Sequence, residues 1–378
     1  MRGACPPPPA HAPRATARPA ARPAARRMAT MAAISAPDTT VDDALVALAH
    51  ALADAAAAVT TKHFRWEREG GGRMRWWEGG RRGRRADTDP STPCPTSPPS
   101  TPLAVDAKAD ASPVTIADRE AEAVVRAALA AAAPMHAVFG EEGGLTPPPA
   151  GGAGEYMWVV DPIDGTKSFI TGGGGPGCGR VGGGVGREEG SPRAHPTTPH
   201  PPGKPLWGTL IALLHRGTPV LGIIDQPVTR ERWVGAAGRA TTLNGRPATT
   251  RPCPHLAAAY LYATTPHMFA PGRVEDAWVR VRDRARVPLY GCDCYAYGLL
   301  SSGHADLVVE ADLGPYDYMA LAPIVAGAGG VMSDWGGRPL RADFDDATGH
   351  SVAGLPREVV AAGDARMHAE AVALLDWR

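Results

Sequence analysis

Aromatic residues make up only 6% of this 378-residue chain, and six residues are cysteine. An excess of either charge is also missing, since Lys+Arg and Asp+Glu number 39 each. That balance supplies no overall field to attract nucleic acid or an anionic membrane, so neither is expected as a partner. The apolar run at 207–214 is far short of the roughly 20 residues that cross a bilayer. Three cysteines (Cys5, Cys94, Cys178) sit in Pro-, Gly- or Arg-rich stretches, which argues against a disulfide framework. Cys292 and Cys294 are one residue apart, a spacing of neither zinc knuckles nor thioredoxin-like redox pairs, and are expected as reduced, buried thiols.

Acids are absent from residues 1–37, which carry six arginines among Ala and Pro; the first acid is Asp38. This is the composition of a transit peptide, and the segment is excluded from the fold. Apolar side chains are too sparse to repay ordering in two internal stretches, 69–105 and 173–203, the second holding 11 Gly and 6 Pro in 31 residues. Both read as low-complexity insertions. A glycine pattern at 177–182 formally matches the dinucleotide fingerprint, but it lacks the preceding strand and following helix and is set aside.

The chain as a whole is 44% hydrophobic and can build a core. Thr40 to Asp43 reads as a capping box opening a helix that runs to Lys62. A short extended run at 112–118 feeds a helix to Ala133, followed by a strand at 137–139 and an acidic turn at 140–143. Strands at 156–160, 207–214, 219–225 and 232–234, with a turn at Asn244 and Gly245, predict a largely antiparallel sheet. Beyond Pro254 the pattern alternates: strands at 260–263, 287–290 and 306–310, helices at 274–284, 293–301, 318–328 and 365–375. Residues 38–250 are therefore expected to form an N-terminal α+β lobe and 251–378 a C-terminal α/β lobe.

The chemistry concentrates where the strand at 156–160 runs into Asp161, Pro162, Ile163, Asp164, Gly165 and Thr166. Two carboxylates at a strand end bind a hard cation such as Mg²⁺, and the backbone N–H groups of Gly165 and Thr166 are placed to receive a phosphate oxygen. An ordinary Asp-rich turn is the alternative reading. The spacing is neither that of an EF-hand loop nor that of the aspartyl-phosphate phosphatases, which have one residue between the acids.

Three stretches in this order resemble the signature motifs of the inositol monophosphatase superfamily: Gly140, Glu141 and Glu142; 158–166; and Pro315, Tyr316 and Asp317 with the glycine-rich 326–330. The resemblance implies a layered αβαβα sandwich of the inositol monophosphatase/fructose-1,6-bisphosphatase type and, by analogy, a homodimer. It implies Mg²⁺ held by Glu141, Asp161, the carbonyl of Ile163, Asp164 and Asp317, with Asp118 and Thr166 activating the attacking water. Bland readings stand beside these. Asp118 could complete a capping box with Thr115, Asp317 could cap the next helix, and Glu142 could be solvated.

Several segments resemble the plant-type histidinol-phosphate phosphatases more than the inositol phosphatases: 167–172 resuming at Lys204, Asp225 to Pro227, and 290–297. The implied substrate is histidinol phosphate, with Asp293 and Glu310 facing its cationic end, although Asp293 could instead be a helix N-cap. Lys108 is a further candidate, in a loop near the site. An inositol or other sugar phosphate is the competing substrate, and a catalytically silent scaffold the competing class.

Overall fold

The computed structural model describes residues 41–64, 67–68, 74–75, 105–107, 113–149, 154–171 and 204–376. The leader, the two insertions apart from short strand pieces, Thr40 and Lys108 lie outside these. The first helix, α1 (Asp43–His63), is capped by Asp42, whose Oδ1 accepts the N–H of Ala44 at 2.9 Å, rather than by Thr40. Over its 21 residues α1 has the length and apolarity of a membrane span, although no unbroken apolar run announces it. Its Ala49, Leu52, Ala53, Ala56 and Val59 are buried against the sheet and the next long helix, so α1 serves as a core helix of this fold.

Short pieces follow: β1 (Glu67–Arg68) paired with β2 (Met74–Arg75), and β3 (Val105–Ala107) paired with β4 (Pro113–Thr115). Helix α2 (Ile116–Ala132) starts at a capping box formed by Thr115 and Asp118. An eight-stranded sheet is then built from β5 (Ala137–Gly140), β6 (Gly144–Thr146), β7 (Tyr156–Asp164), β8 (Gly208–His215), β9 (Thr218–Gln226), β10 (Glu231–Ala236), β11 (Thr242–Leu243) and β12 (Arg246–Pro247). Its order is β12-β11-β10-β9-β8-β7-β5-β6, antiparallel throughout except for β5 against β7. A five-residue helix, α3 (Thr166–Ile170), lies between β7 and β8.

The second half carries a mixed five-stranded sheet of order β14-β13-β15-β19-β16. Its strands are β13 (Tyr260–Ala263), β14 (Val287–Tyr290), β15 (Leu307–Glu310), β16 (Val331–Asp334) and β19 (Val359–Ala362); a small ribbon, β17 (Asp343–Asp345) and β18 (Gly349–Ser351), stands apart. The helices are α4 (Arg273–Arg282), α5 (Tyr295–Ser301), α6 (Pro315–Tyr318), α7 (Leu321–Gly327) and α8 (Ala365–Leu375).

Strand alternation sorts most of the apolar residues into three of the four cores among the described residues, the fourth joining Phe64, Ala117, Ile163, Phe169 and Trp207. Trp158, Val160, Ile211 and Leu213 face α1 and α2. Met157, Val159, Leu210 and Ala212 on the first sheet, with Val308, Val359 and Ala361 on the second, enclose α5 and α7. Leu307, Val309, Val360 and Ala362 face α4 and α8. Three cores between helix, sheet, helix, sheet and helix are the expected αβαβα sandwich.

Two predicted helices begin or break elsewhere. The helix predicted at 318–328 is not continuous: Tyr318 ends α6 and the helix restarts as α7 at Leu321, where Pro323 has no N–H to donate to the carbonyl of Met319. The helix expected from 293 starts at Tyr295, because Asp293 has φ 46°, outside the right-handed helical region. The segment from Asp225 to Pro227 is structural here: Asp225 pairs with Arg232 at 2.7 Å, Arg232 reaches Asp54 on α1, and the Gln226 side chain ties Pro205 and Trp207 to Val228 and Thr229.

Gly222 and Gly235 are direct cross-strand partners on β9 and β10 and form a floor for α7. A Cβ on Gly222 would stand 1.8 Å from the carbonyl oxygen of Ala320, and one on Gly235 would stand 2.4 Å from the Cα of Ile324. Gly222→Ala must therefore push α7 outward. We expect a loss of about 1–3 kcal/mol, read as a lower urea midpoint with an unchanged slope; an unchanged midpoint would refute this packing.

Candidate active site

Strand β7 ends in a bulge. Asp161 pairs with Leu210 and Asp164 with Gly208, so β7 carries one residue more than β8 between those points. Pro162, with no N–H for the ladder, sits in it, and its carbonyl accepts the Thr209 hydroxyl at 2.8 Å. The N–H of Ile163 returns to Asp161 Oδ1 at 3.0 Å, and the Thr166 hydroxyl donates to the Ile163 carbonyl at 3.1 Å. Gly165 follows at φ 89°, a conformation that favours glycine, and a Cβ there would also stand 2.9 Å from Asp293 Oδ2.

Helix α6 packs against β7 and brings in Asp317, so that single carboxylate oxygens of Asp161, Asp164 and Asp317 lie within 4.8 Å of one another. Asp317 is not a helix N-cap; it stands in the first turn of α6, where its Oδ2 accepts the N–H of Gly314 at 2.7 Å. Glu141 joins from the turn after β5: its N–H donates to Val160 O at 3.1 Å, and its carboxylate stands close enough to that of Asp161 to repel it. Burial, then repulsion from Glu141, Asp164 and Asp317, holds the Asp161 carboxyl well above the usual range. Asp164 is raised by burial, then by Asp293 and Asp317, against the opposing hydrogen bonds of Cys294. Asp317 is raised to about 8, by burial first and Glu141 second. An oxygen-only set of crowded carboxylates fits a hard dication such as Mg²⁺, whose charge would relieve the repulsion.

The other predicted residues surround this cluster. Asp118 is 1% exposed, and its Oδ2 accepts both the N–H and the hydroxyl of Thr115, so the capping reading holds for it. Helix α3, which Thr166 opens, packs against β4, whose last residue is Thr115. Asp293 is not an N-cap; that position belongs to Cys294. The Asp293 carboxylate accepts the Ser168 hydroxyl at 3.2 Å, and Lys167 and Lys204 are close enough to oppose the upward shift that burial imposes on it. Glu310 is 3% exposed. Its Oε1 accepts the N–H and hydroxyl of Thr264, its Oε2 the Tyr297 hydroxyl at 2.8 Å, and burial raises it to about 7. A cationic ligand group would have to share those oxygens.

Cys292 and Cys294 are free, buried thiols, as expected, and burial pushes Cys292 up to about 11. Cys294 has a part that its spacing did not announce: its N–H donates to Asp164 Oδ2 at 2.5 Å. Glu122 and Arg126 were also missed. The buried Glu122 carboxylate accepts the N–H groups of Glu142 and Gly143, both at 2.8 Å, and Arg126 Nε at 2.7 Å. The available signal was spacing, since Asp118, Glu122 and Arg126 recur every four residues on one face of α2.

The crowding sets a pH dependence. In chelator, the folded chain holds protons on these raised carboxyls that the unfolded chain gives up, so stability falls as pH rises. Burial holds His350 and His368 down to about 4, which gives the opposite slope below their usual 6.5. Between pH 6.5 and 8 the carboxyl effect remains. The melting temperature in EDTA is expected to fall across that window and Asp317→Asn to flatten the fall; an equal slope in both proteins would contradict it.

Residues 96–376 match the inositol monophosphatase family. A bifunctional chloroplastic phosphatase of Arabidopsis thaliana, IMPL2, is 46% identical over 270 residues, 71% of this chain and 67% of that protein. A histidinol-phosphatase of Streptomyces coelicolor is 30% identical over 248 residues, 63% of this chain and 79% of its own. The solved structure of an inositol monophosphatase from Zymomonas mobilis superposes with a TM-score of 0.61 at 37% identity, covering 89% of this chain and 100% of that one. With the five-layer fold, the ordered acidic motifs and a match over most of its length, the chain belongs to the inositol monophosphatase family.

Proposed function

We propose that this phosphatase is a Mg²⁺-dependent phosphomonoesterase that releases phosphate from histidinol phosphate. The observation that carries the phosphomonoesterase reading is the convergence of Asp161, Asp164 and Asp317 within 4.8 Å, with the Glu141 carboxylate beside Asp161. These four carboxylates and the Ile163 carbonyl, which has a second lone pair beyond the one taken by Thr166, are the residues that would hold the cation. Bound Mg²⁺ supplies Lewis acidity toward a phosphate oxygen and toward water. The N–H groups of Gly165 and Thr166, at the start of a helix where no intrahelical partner exists, receive a phosphate oxygen. Asp118 and Thr166 orient the attacking water and Asp118 takes its proton, while the ester oxygen leaves phosphorus as histidinol, protonated from solvent.

The choice of histidinol phosphate rests on Asp293, whose carboxylate stands beside the acidic turn at Gly165 and Ser168, and on the similarity to the histidinol-phosphatase of Streptomyces coelicolor. An ammonium or imidazolium gains a charge-assisted hydrogen bond there that a neutral polyol does not. Lys167 and Lys204 work against this selectivity, which keeps an inositol phosphate as the second reading. The chloroplastic relative and the acid-free leader support a plastid location, and the chain is proposed to act as a homodimer.

The test is Mg²⁺-dependent phosphate release by the purified protein from histidinol phosphate and from inositol 1-phosphate. Asp161→Asn is expected to lower turnover of the better substrate about 10³-fold or more; near wild-type turnover would remove Asp161 from the centre. Asp293→Asn is expected to lower kcat/KM for histidinol phosphate by about 10–100-fold, the worth of one hydrogen bond to a charge, with little change for inositol 1-phosphate. Equal losses on both substrates would overturn the assignment of Asp293, and preference of the wild type for inositol phosphate would overturn the substrate.

A further inference from the structure

One buried ion pair is used by no step above. Glu122 is 2% exposed, yet its carboxylate is spent on a turn in a different part of the chain: Oε2 takes the N–H of Glu142, and Oε1 takes the N–H of Gly143 and Arg126 Nε. Arg126 continues the grip, donating to the Gly144 carbonyl at 2.6 Å and to the Thr146 hydroxyl at 2.9 Å. Two side chains one helical turn apart on α2 therefore hold residues 142–146 by five hydrogen bonds' worth of directed contacts, counting the internal Glu122–Arg126 bond.

The approach is steric as well as polar. A Cβ on Gly140 would stand 2.3 Å from Glu122 Oε1, and one on Gly143 would stand 2.8 Å from the same atom. Both glycines flank the acidic pair, and a solvated hairpin turn would need neither the glycines nor a desolvated carboxylate beneath it. Removing a carboxylate from water is expensive unless it is fully bonded. The grip falls next to Glu141, whose own N–H is tied to Val160, one residue before Asp161.

We infer that Glu122, backed by Arg126, is a positioning residue that presets the Glu141 carboxylate for the cation. Glu141 is held beside the like-charged Asp161 and Asp317 before any cation arrives, and the ordering is completed in folding rather than at binding. This rests on the reading of the carboxylate cluster as a metal centre.

The experiment is calorimetric titration of the full chain with Mg²⁺, alongside kcat at saturating Mg²⁺. Glu122→Gln, which places an amide donor against N–H donors, is expected to weaken Mg²⁺ binding about 10–100-fold while kcat at saturation moves less than about threefold, and the rise in melting temperature on adding Mg²⁺ should shrink. Arg338→Ala, which breaks a similarly spaced pair with Asp334 elsewhere, should leave the affinity unchanged. A folded Glu122→Gln protein with wild-type affinity overturns the inference, as does an equal loss in Arg338→Ala. Should Glu122→Gln not fold, Arg126→Lys decides, since it keeps the charge but not the fork between Glu122 and Gly144; wild-type affinity there is again a refutation. Wild-type protein that takes up no Mg²⁺ at all would instead bring down the metal reading, and this inference with it.

Discussion

Four carboxylates compete for one desolvated place, and the rest of the molecule is arranged around that conflict. Burial alone would favour their protonation, and each neighbour adds repulsion, which is why Asp161, Asp164 and Asp317 all stand above the ordinary carboxylate range. The fold holds them by donors that are not cations: the Ile163 N–H on Asp161, the Cys294 N–H on Asp164 and the Gly314 N–H on Asp317. Backbone amides fix orientation without cancelling the charge, so the attraction for a cation survives the assembly.

Those supports come from both halves of the sandwich. Asp161 and Asp164 end a strand of the eight-stranded sheet, whereas Asp317 and Cys294 lie on segments that lead into or out of the five-stranded one. Glycines let the parts approach: Gly165 admits the Asp293 carboxylate, Gly208 admits the Cys294 sulfur, and Gly222 and Gly235 bring α7 down on β9 and β10. A chain with ordinary side chains at these points would keep the layers apart, and the cluster would be opened with them.

The alternation of strands and helices was legible because local periodicity carries it, whereas the layered sandwich was implied by the family resemblance. Strands at 260–263 and 287–290 and the helix at 365–375 were found as predicted, each having an apolar alternation or stripe bounded by turn residues. The misses share a cause. The capping-box motif points to Thr40 where Asp42 caps the helix, helical periodicity over 318–328 does not register the N–H that Pro323 lacks, and the start of α5 depends on a positive φ at Asp293 that no periodicity signals. At the candidate site, the carboxylates could be named from ordered motifs, while their supports, Glu122, Arg126 and the Cys294 N–H, could not.

The sequence by itself determined the alternation of helices and strands, the cluster-forming residues Asp161, Asp164 and Asp317 with Glu141 beside them, and the family, because each is written in contiguous residues. Tertiary structure alone decided which donors face those carboxylates, that both oxygens of Glu310 are taken by Thr264 and Tyr297, and that Asp293 stands against Gly165. The physical reason is separation along the chain: Cys294 and Asp164 are 130 residues apart and Glu142 and Glu122 are 20 apart. Such contacts are set by sheet order and layer packing, which no local pattern encodes.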